Sequence, residues 1–379
     1  MLKKLAVLPL VFMLFFSPAF CAPVVLAEVA VSAKSAIVME PVTGQVIFEK
    51  EADQRLSMAS TTKIMTALLA LESGKSSETF EMTKDMVMVE GTSLGLMEGD
   101  QITLYDLVCG LMLESGNDAA NAAAFAVAGS VEEFALLMNR RAREIGMKDT
   151  NFVTPSGLDD EEHYTTARDM ALLAAVAIKN DQFREICSSK SLTVQFGNPP
   201  RPRKIYNHNR LLRSYEGAIG VKTGFTKKSG RCLVSAAERD GITLVAVTLN
   251  AGSDWNDHKA MLDYGFSKTE KITLDTDIDP EIRVKVIGGA KDAVNITASE
   301  ALDIPMVNGS ENSKIKRHVY LSAFEYAPVR KGQTLGEMVF EYEGKIIAGT
   351  KILAHSSVNQ SLHNYSIWDY WAAVLNKIT

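Results

Sequence analysis

The order of strand-like and helical segments most constrains the fold of this chain, because strands lie on both sides of a helical block. Residues 35–40 and 46–50 alternate as strands around a Pro-Val-Thr-Gly turn, which predicts a β-hairpin. Apolar residues at helical spacing then predict five helices, at 62–72, 104–113, 118–128, 131–145 and 168–179.

Three more strand-like runs follow the helices and predict an antiparallel meander. They lie at 218–225, 231–238 and 242–250, and a helix at 255–266 can pack on them. Strands that flank a central helical block are typical of a single α/β (α+β) domain. We assign this domain to residues 28–272.

The end of the chain continues as strand-like runs without a convincing helix. An acidic, Pro-terminated segment around residues 270–280 predicts a linker. The runs beyond it lie at 282–287, 294–297, 314–321, 338–342 and 345–354. They predict a small all-β domain over residues 273–365, in which no motif has a chemical interpretation.

Both termini carry segments of a different kind. A basic start precedes an apolar run at 5–16 that is too short to span a bilayer. We therefore expect residues 1–27 to be a removed secretory signal, with the mature protein outside the cytoplasmic membrane; an uncleaved anchor is the alternative. The tail at 366–379 carries Trp368 and Trp371 at helical spacing, which predicts an amphipathic helix that contacts a membrane or packs on the β domain.

Composition and charge argue against several functions. A net charge of −6 and a pI near 5.7 give no electrostatic basis for binding nucleic acid. Neither the six histidines nor the cysteines recur at metal-ligand spacing, so we expect no metal or other cofactor. Cys109, Cys187 and Cys232 lie in apolar segments, which predicts buried free thiols.

Three short motifs follow one another in the α/β domain, and their order carries more information than any one of them. They are Ser60-x-x-Lys63, Ser115-x-Asn117 and Lys222-Thr-Gly224. Each has a copy elsewhere, at Ser313-x-x-Lys316, at Ser310-x-Asn312 and Ser357-x-Asn359, and at Lys228-Ser-Gly230. The first set lies at a helix start, at a break between helices and on a predicted strand. The copies lack this order, so we take the first set as the functional one.

The first motif has the chemistry of a nucleophile beside its base. Ser60 and Lys63 are three residues apart and share one helix face, and a helix N-terminus stabilises negative charge on the serine. Apolar neighbours predict a buried lysine, and burial lowers a lysine pKa toward the neutral amine that a general base must be. The alternative is a capping serine beside a solvated lysine.

The other two motifs suit the binding of a peptide end. Ser115 and Asn117 can point into a cleft, and either can instead cap the next helix. Lys222 presents a cation and Thr223 a hydroxyl, and Gly224 lets a substrate backbone approach closely.

At these residues the chain resembles the D-alanyl-D-alanine carboxypeptidases, low-molecular-mass penicillin-binding proteins of the type-5 family with an active-site serine. The resemblance includes the residues around each motif and the segments 151–158 and 207–212. It covers residues 33–270 closely and the β domain more loosely. It implies a catalytic domain of the penicillin-recognising, serine transpeptidase and β-lactamase-like fold.

The resemblance implies release of the terminal D-alanine from the pentapeptide stem of peptidoglycan. Ser60 would attack the D-Ala-D-Ala carbonyl with Lys63 as its general base. Ser115 would relay a proton to the departing amine, and Asn117 would hold the peptide. β-Lactam antibiotics would acylate the same serine.

The same resemblance implies how the substrate is bound. Lys222 and Thr223 would bind the terminal carboxylate beside Gly224, and the backbone N–H groups of Ser60 and Phe225 would form an oxyanion hole. His208 lies where some relatives carry an arginine that contacts substrate. The chain also has Glu114 where relatives commonly have proline, and its tail is shorter than the usual membrane-anchoring helix.

Three alternatives remain at this point. A class A β-lactamase shares the three motifs but needs a deacylating glutamate followed by asparagine four residues later, and Glu161 and Glu162 are followed by Thr165 and Thr166. A D,D-endopeptidase or transpeptidase can use the same scaffold. A non-catalytic wall-binding protein could keep the fold, but it has no need of all the motif residues.

Overall fold

The computed structural model describes residues 29–361 except 309 and 311, so the predicted signal (1–27) and tail (366–379) lie outside the described residues. In chain order the first elements are β1 (Ser35–Met39), β2 (Val46–Lys50), a 3₁₀ turn (Ala59–Thr62), α1 (Lys63–Glu72), β3 (Thr79–Glu81), α2 (Lys84–Val87), β4 (Gln101–Thr103), α3 (Leu104–Leu113), α4 (Asn117–Ala128), α5 (Val131–Ile145), α6 (Ala167–Ala177), α7 (Asp181–Ser188), β5 (Ser191–Gly197), β6 (Pro200–Tyr206) and α8 (Leu211–Ser214). They continue as β7 (Ala218–Thr226), β8 (Gly230–Arg239), β9 (Ile242–Ala251), α9 (Asp254–Ser267), β10 (Thr269–Leu274), β11 (Arg283–Ile287), β12 (Ala293–Ala298), β13 (Leu302–Val307), a 3₁₀ turn (Asn312–Lys314), β14 (Lys316–Leu321), β15 (Phe324–Tyr326), β16 (Thr334–Tyr342) and β17 (Lys345–Ala354).

A five-stranded antiparallel sheet in the order β2-β1-β9-β8-β7 forms the centre of the α/β part. It joins the predicted hairpin to the predicted meander. Successive β1 side chains point to opposite faces, so Ile37 and Met39 enter the core under the helical block while Ala36 and Val38 enter the core under α9. Helices cover both faces of this sheet, which is why every residue of β1 is buried.

The helical block packs around α4, whose alanines let neighbouring helices approach closely. Four of the helices begin at a side-chain cap, which accepts the backbone N–H of the residue three positions further along the chain. The capping residues are Thr103 for α3, Ser130 for α5, Thr166 for α6 and Asn180 for α7. Among the described residues no single helix is long and apolar enough to cross a membrane. Only α4 and α5 together meet that criterion, and they are bent by 82° at the break between them.

A second, four-stranded sheet in the order β3-β4-β5-β6 is not predicted from the sequence. Two of its strands, β3 and β4, are three residues long, and so short a segment shows no reliable alternation. The exposed, charged strand β6 likewise lacks a buried face except at Ile205. Helix α7 was also missed.

The C-terminal part is all β, as predicted, and contains a six-stranded sheet in the order β14-β16-β17-β12-β11-β15. One correction concerns the predicted linker around residues 270–280, because residues 270–274 belong to β10, which pairs with the unpredicted strand β13. Buried Thr269 and Leu274 stabilise this pairing. The proposed boundary between residues 272 and 273 therefore falls within a strand.

Candidate active site

Ser60 lies on the 3₁₀ turn that leads directly into α1, so the serine precedes the α-helix and Lys63 is its first residue. Ala59 before it adopts a left-handed conformation, with φ of 48°. This conformation turns the chain into the helix and leaves Ser60 on the wall of a cleft. Ser60 and Lys63 thus lie on one continuous helical segment, as predicted.

Lys63 is completely buried, and its amine contacts three oxygens. Its Nζ lies 3.0 Å from Ser60 Oγ, 2.7 Å from Asn117 Oδ1 and 2.6 Å from the carbonyl oxygen of Ser156. The side chains of the first two motifs therefore converge on one nitrogen. The solvated-lysine alternative is wrong.

Burial places the pKa of Lys63 well below its usual value, and the nearby Lys222 lowers this pKa further. A neutral primary amine has two N–H donors and one lone pair. The amide oxygen of Asn117 and the carbonyl of Ser156 can accept both donors, so the lone pair faces the hydroxyl of Ser60. This arrangement suits a general base that removes the proton of Ser60.

The second motif occupies the tight connection between α3 and α4, as predicted. Ser115 adopts a left-handed conformation with φ of 62°, and Gly116, not Ser115 or Asn117, is the N-cap of α4. The capping alternative is therefore wrong. Asn117 is held from a second side, because its N–H donates to Thr92 O and its Nδ2 donates to Glu90 O.

Asp118 has a structural role beside this motif. Its buried carboxylate accepts hydrogen bonds from the backbone N–H groups of Leu94, Gly95 and Leu96 and from the hydroxyl of Ser93. Asp118 thereby fixes the segment that follows Thr92 on the rim of the cleft.

The third motif lies on β7, at one end of the strand order in the central sheet. Lys222 is 2% exposed, and its Nζ donates to Ser115 Oγ at 3.1 Å and to Thr223 O at 3.0 Å. Burial lowers the pKa of Lys222 to about 7. Lys228, in the copy of this motif, instead lies in the β7–β8 turn, where its exposed Nζ donates to Asp160 O.

Gly224 brings this strand against the turn that carries the nucleophile. A Cβ atom on Gly224 would lie 3.0 Å from Ser60 N and 3.1 Å from Thr61 N. Contacts this short are tighter than most real Cβ contacts, so glycine permits the approach without displacing the turn. Backbone amides of the turn and of β7 thus border the same narrow space beside Ser60.

His163 holds the loop that supplies the Ser156 carbonyl, a role that the sequence does not reveal. The N–H of Val153 donates to His163 Nδ1 at 2.9 Å, so Nε2 carries the proton and donates to Thr62 Oγ1 at 2.8 Å. Burial lowers the pKa of His163 to about 4, which keeps the ring neutral. The side chain therefore ties the loop to the start of α1.

The cleft beside Ser60 has a volume of about 340 Å³ and brings together most of the predicted site residues. Six of the predicted residues line the cleft: Ser60, Ser115, His208, Thr223, Gly224 and Phe225. Three more lie behind its wall: Lys63, Asn117 and Lys222. His208 Nε2 is 3.4 Å from Glu114 Oε2. The sequence analysis missed five further lining residues, namely Thr92 and four from the segments around α8, β8 and α9: Arg210, Arg231, Asp254 and Trp255.

The two glutamates considered for a deacylating role lie away from the cleft. Glu161 and Glu162 are exposed, and neither lines the cleft. Within the described residues no group of three His, Cys, Asp or Glu side chains is placed to hold a metal ion. The predicted free, buried thiols of Cys109, Cys187 and Cys232 are confirmed.

Comparison with known proteins agrees with this geometry. The family model described as D-alanyl-D-alanine carboxypeptidase matches residues 22–253, and the model described as penicillin-binding protein 5, C-terminal domain, matches residues 276–360. D-alanyl-D-alanine carboxypeptidase DacF of Bacillus subtilis is 32% identical over 88% of this chain and 88% of its own length.

Solved structures show the same similarity. Penicillin-binding protein 5 from Haemophilus influenzae superposes with a TM-score of 0.62 at 29% identity, covering 87% of this chain and 98% of its own. The Streptomyces K15 DD-transpeptidase, with a TM-score of 0.60 at 33% identity, covers 63% of this chain and 98% of its own. The chain therefore belongs to the family of serine-type D-alanyl-D-alanine carboxypeptidases, which are penicillin-binding hydrolases.

Proposed function

We propose that this protein removes the terminal D-alanine from peptidoglycan pentapeptide stems through an acyl-enzyme on Ser60. The observation that carries the proposal is the environment of Lys63 Nζ, which is buried, 3.0 Å from Ser60 Oγ and hydrogen-bonded to two fixed oxygens. Burial lowers the pKa of this amine toward the neutral form, and its two oxygen partners aim it at the hydroxyl before substrate arrives. Positioned proton transfer of this kind contributes about 10²- to 10⁴-fold to a rate.

Acylation begins when Ser60 Oγ attacks the carbonyl carbon between the two D-alanines. Its proton passes to Lys63 Nζ as the new C–O bond forms. The negative charge that develops on the carbonyl oxygen would be stabilised by the N–H groups of Ser60 and Phe225. The close approach of Gly224 to Ser60 N supports this assignment, because it brings the two backbones together.

The C–N bond then breaks, and the leaving amine takes up the proton that Lys63 accepted. Ser115 relays this proton, and its hydroxyl is held by Lys222 at 3.1 Å. Lys222 in its charged form and Thr223 bind the terminal carboxylate of the departing D-alanine, and His208 lines the same part of the cleft. Asn117 holds the acyl part of the peptide while it keeps Lys63 in place.

Water releases the shortened peptide from Ser60 in the second half of the reaction. Lys63, neutral again, accepts a proton from the attacking water, and Ser60 recovers its own as the ester bond breaks. β-Lactams enter the same path, since their strained amide takes the place of the D-Ala-D-Ala bond. Their ring-opened acyl group stays attached to Ser60.

The decisive measurement is D-alanine release from a D-Ala-D-Ala-terminated peptide, together with labelling by a fluorescent penicillin. We expect the wild-type protein to release D-alanine and to be labelled, and Ser60→Ala to do neither. Release without any dependence on Ser60 would contradict the assignment. Absence of both activities in the wild type would favour a non-catalytic wall-binding protein.

Two further readouts separate the catalytic alternatives. Rapid turnover of the penicillin with loss of label would indicate a β-lactamase, which the exposure of Glu161 and Glu162 disfavours. Transfer of the acyl group to an added amine would indicate a transpeptidase, and opening of cross-linked peptides an endopeptidase.

The substrate and the N-terminal segment support a location in the cell envelope. We propose that residues 1–27 direct secretion and are removed, and that the chain from residue 28 to the end of α9 forms the catalytic domain. The all-β part that begins with β10 would then hold the catalytic domain away from the membrane, with the tail at 366–379 as a peripheral membrane contact. The contact can be tested by cell fractionation, which compares the membrane-bound share of the full-length protein with that of a chain ending at residue 365. Equal membrane binding of the two would contradict the contact.

A further inference from the structure

A second cavity, of about 410 Å³, opens beside the catalytic cleft. Arg210, Arg231, Asp254 and Trp255 line both cavities, so the two are continuous. The second cavity extends along the start of α9 as far as Lys259. It is larger than a single terminal D-alanine requires, and the proposed reaction does not use it.

The charges around this second cavity are unbalanced. Arg231 is 54% exposed, and its Nη1 lies 3.9 Å from Asp254 Oδ1, beyond hydrogen-bond distance. Asp254 is 6% exposed and is the only carboxylate among the lining residues. In the described part of the chain the side chains of Arg210 and Lys259 form no hydrogen bond or ion pair. Three cations against one buried carboxylate attract an anion.

The second cavity adjoins the strand that carries the third motif, because Arg231, which lines both cavities, pairs with Phe225 across β7 and β8, next to Thr223 and Gly224. Ser115, the proposed proton relay to the leaving amine, directly follows Glu114, whose carboxylate is 3.4 Å from His208 Nε2. Arg210 is two residues further along and lines both cavities. In the proposed function the terminal carboxylate binds at Lys222 and Thr223 on this strand. A group that extends from the terminal residue toward Arg231 would meet the second cavity.

We propose that the second cavity is a subsite for leaving groups that carry an acidic group in addition to the carboxylate bound at the third motif. Two kinds of leaving group have this chemistry: a terminal D-amino acid with an acidic side chain, and the second peptide of a cross-link with its own carboxylates. The inference rests on the proposed function, because Ser60 must form the same acyl-enzyme. The same amide C–N bond breaks, and the released amine takes the same proton.

The test compares two peptides that differ only in the side-chain charge of the last residue, D-glutamate or D-glutamine, with D-alanine as the reference. We expect wild-type kcat/KM to be about fivefold or more higher for D-glutamate than for its neutral isostere. Lys259→Gln removes one of the three cations and should reduce this ratio at least twofold while leaving D-alanine release within twofold. Lys268→Gln removes a cation at the other end of α9 and should preserve the ratio.

Each outcome has a defined meaning. A wild-type ratio near one, or a ratio unchanged in Lys259→Gln, would overturn the subsite while D-alanine release still supports the proposed function. Loss of D-alanine release from the wild type would overturn the proposed function itself. If Lys259→Gln lowers the D-glutamate to D-glutamine ratio, cleavage of a cross-linked muropeptide dimer by the wild type and by Lys259→Gln identifies the natural leaving group. Cleavage that also depends on Lys259 indicates the second peptide of a cross-link. An intact dimer identifies the acidic D-amino acid.

Discussion

Replacing Gly157 with alanine would drive a methyl group into the turn that carries the nucleophile. The new Cβ would lie 2.0 Å from Ala59 O and 2.8 Å from Thr62 Oγ1. Gly157 also has φ of 84°, a conformation that L-residues rarely adopt. The substitution therefore combines backbone strain with a clash against backbone atoms that cannot rotate away.

The size of the effect follows from these two parts. A left-handed conformation destabilises an alanine by about 1–2 kcal/mol, and overpacking adds about 1–3 kcal/mol. Relief of the clash requires the loop and the turn to separate by roughly 1 Å. Because Ser156 O is 2.6 Å from Lys63 Nζ, that movement takes an acceptor away from the base. A displacement of about 1 Å at a reacting group can lower a rate by about 10²-fold.

Gly129 provides the matched control, since it has the same φ of 84° and no atom within 4 Å of its virtual Cβ. Gly129→Ala should lower the free energy of unfolding by about 1–2 kcal/mol and leave acylation unchanged. Gly157→Ala should be less stable still and acylate with fluorescent penicillin about 10²-fold more slowly. An acylation rate for Gly157→Ala within threefold of that for Gly129→Ala would refute the role given to the Ser156 carbonyl.

Two predictions concern pH. Burial lowers the pKa of Lys222 to about 7, and the proposed function requires this lysine to be charged when it binds the substrate carboxylate. The kcat/KM for the peptide should therefore fall as pH rises through 7, and a peptide with a methylated terminal carboxylate should lack this fall. Equal pH profiles for both peptides would count against the assignment. His258 is buried between Ser235 and Thr248, with a pKa lowered to about 3, so the folded protein disfavours its protonation. The neutral His258 ring contributes fully to the free energy of unfolding above pH 6.5, which is about the pKa of histidine in the unfolded chain. This contribution declines by about 3 kcal/mol as pH falls to 4, because the unfolded chain then binds a proton that the folded protein does not. His258→Gln should therefore show a smaller loss of unfolding free energy between pH 7 and 4, and a loss equal to that of the wild type would contradict this account.

The elements predicted well from the sequence are those in which one periodic pattern of apolar residues extends over many positions. The bounds of α3 and α5 agree with the predicted helices, since ten or more residues repeat the helical spacing. Short strands failed for the opposite reason, because three residues in β3 or β4 contain too few alternations to be recognised. Strand β10 was mistaken for a linker, because its acidic end outweighed two buried positions.

The motif residues were found because their chemistry is carried by residue type and local spacing. Lys222 was separated from Lys228 by its place on a strand rather than in a turn, and the structure agrees with this distinction. The Ser156 carbonyl has no such signal, since every residue has a carbonyl. Only Gly157 marks the place where that loop must approach the nucleophile.

The sequence by itself determined the family, the mixed α/β and all-β architecture, and the pairing of Ser60 with Lys63, because these depend on residue types and on periods of a few residues. Tertiary structure alone decided how basic Lys63 is, since its pKa depends on burial and on Asn117 and Ser156, which are distant in sequence. It also decided the cationic cavity beside the cleft. That cavity joins residues from α8, β8 and α9, whose proximity results from packing and leaves no trace in local pattern.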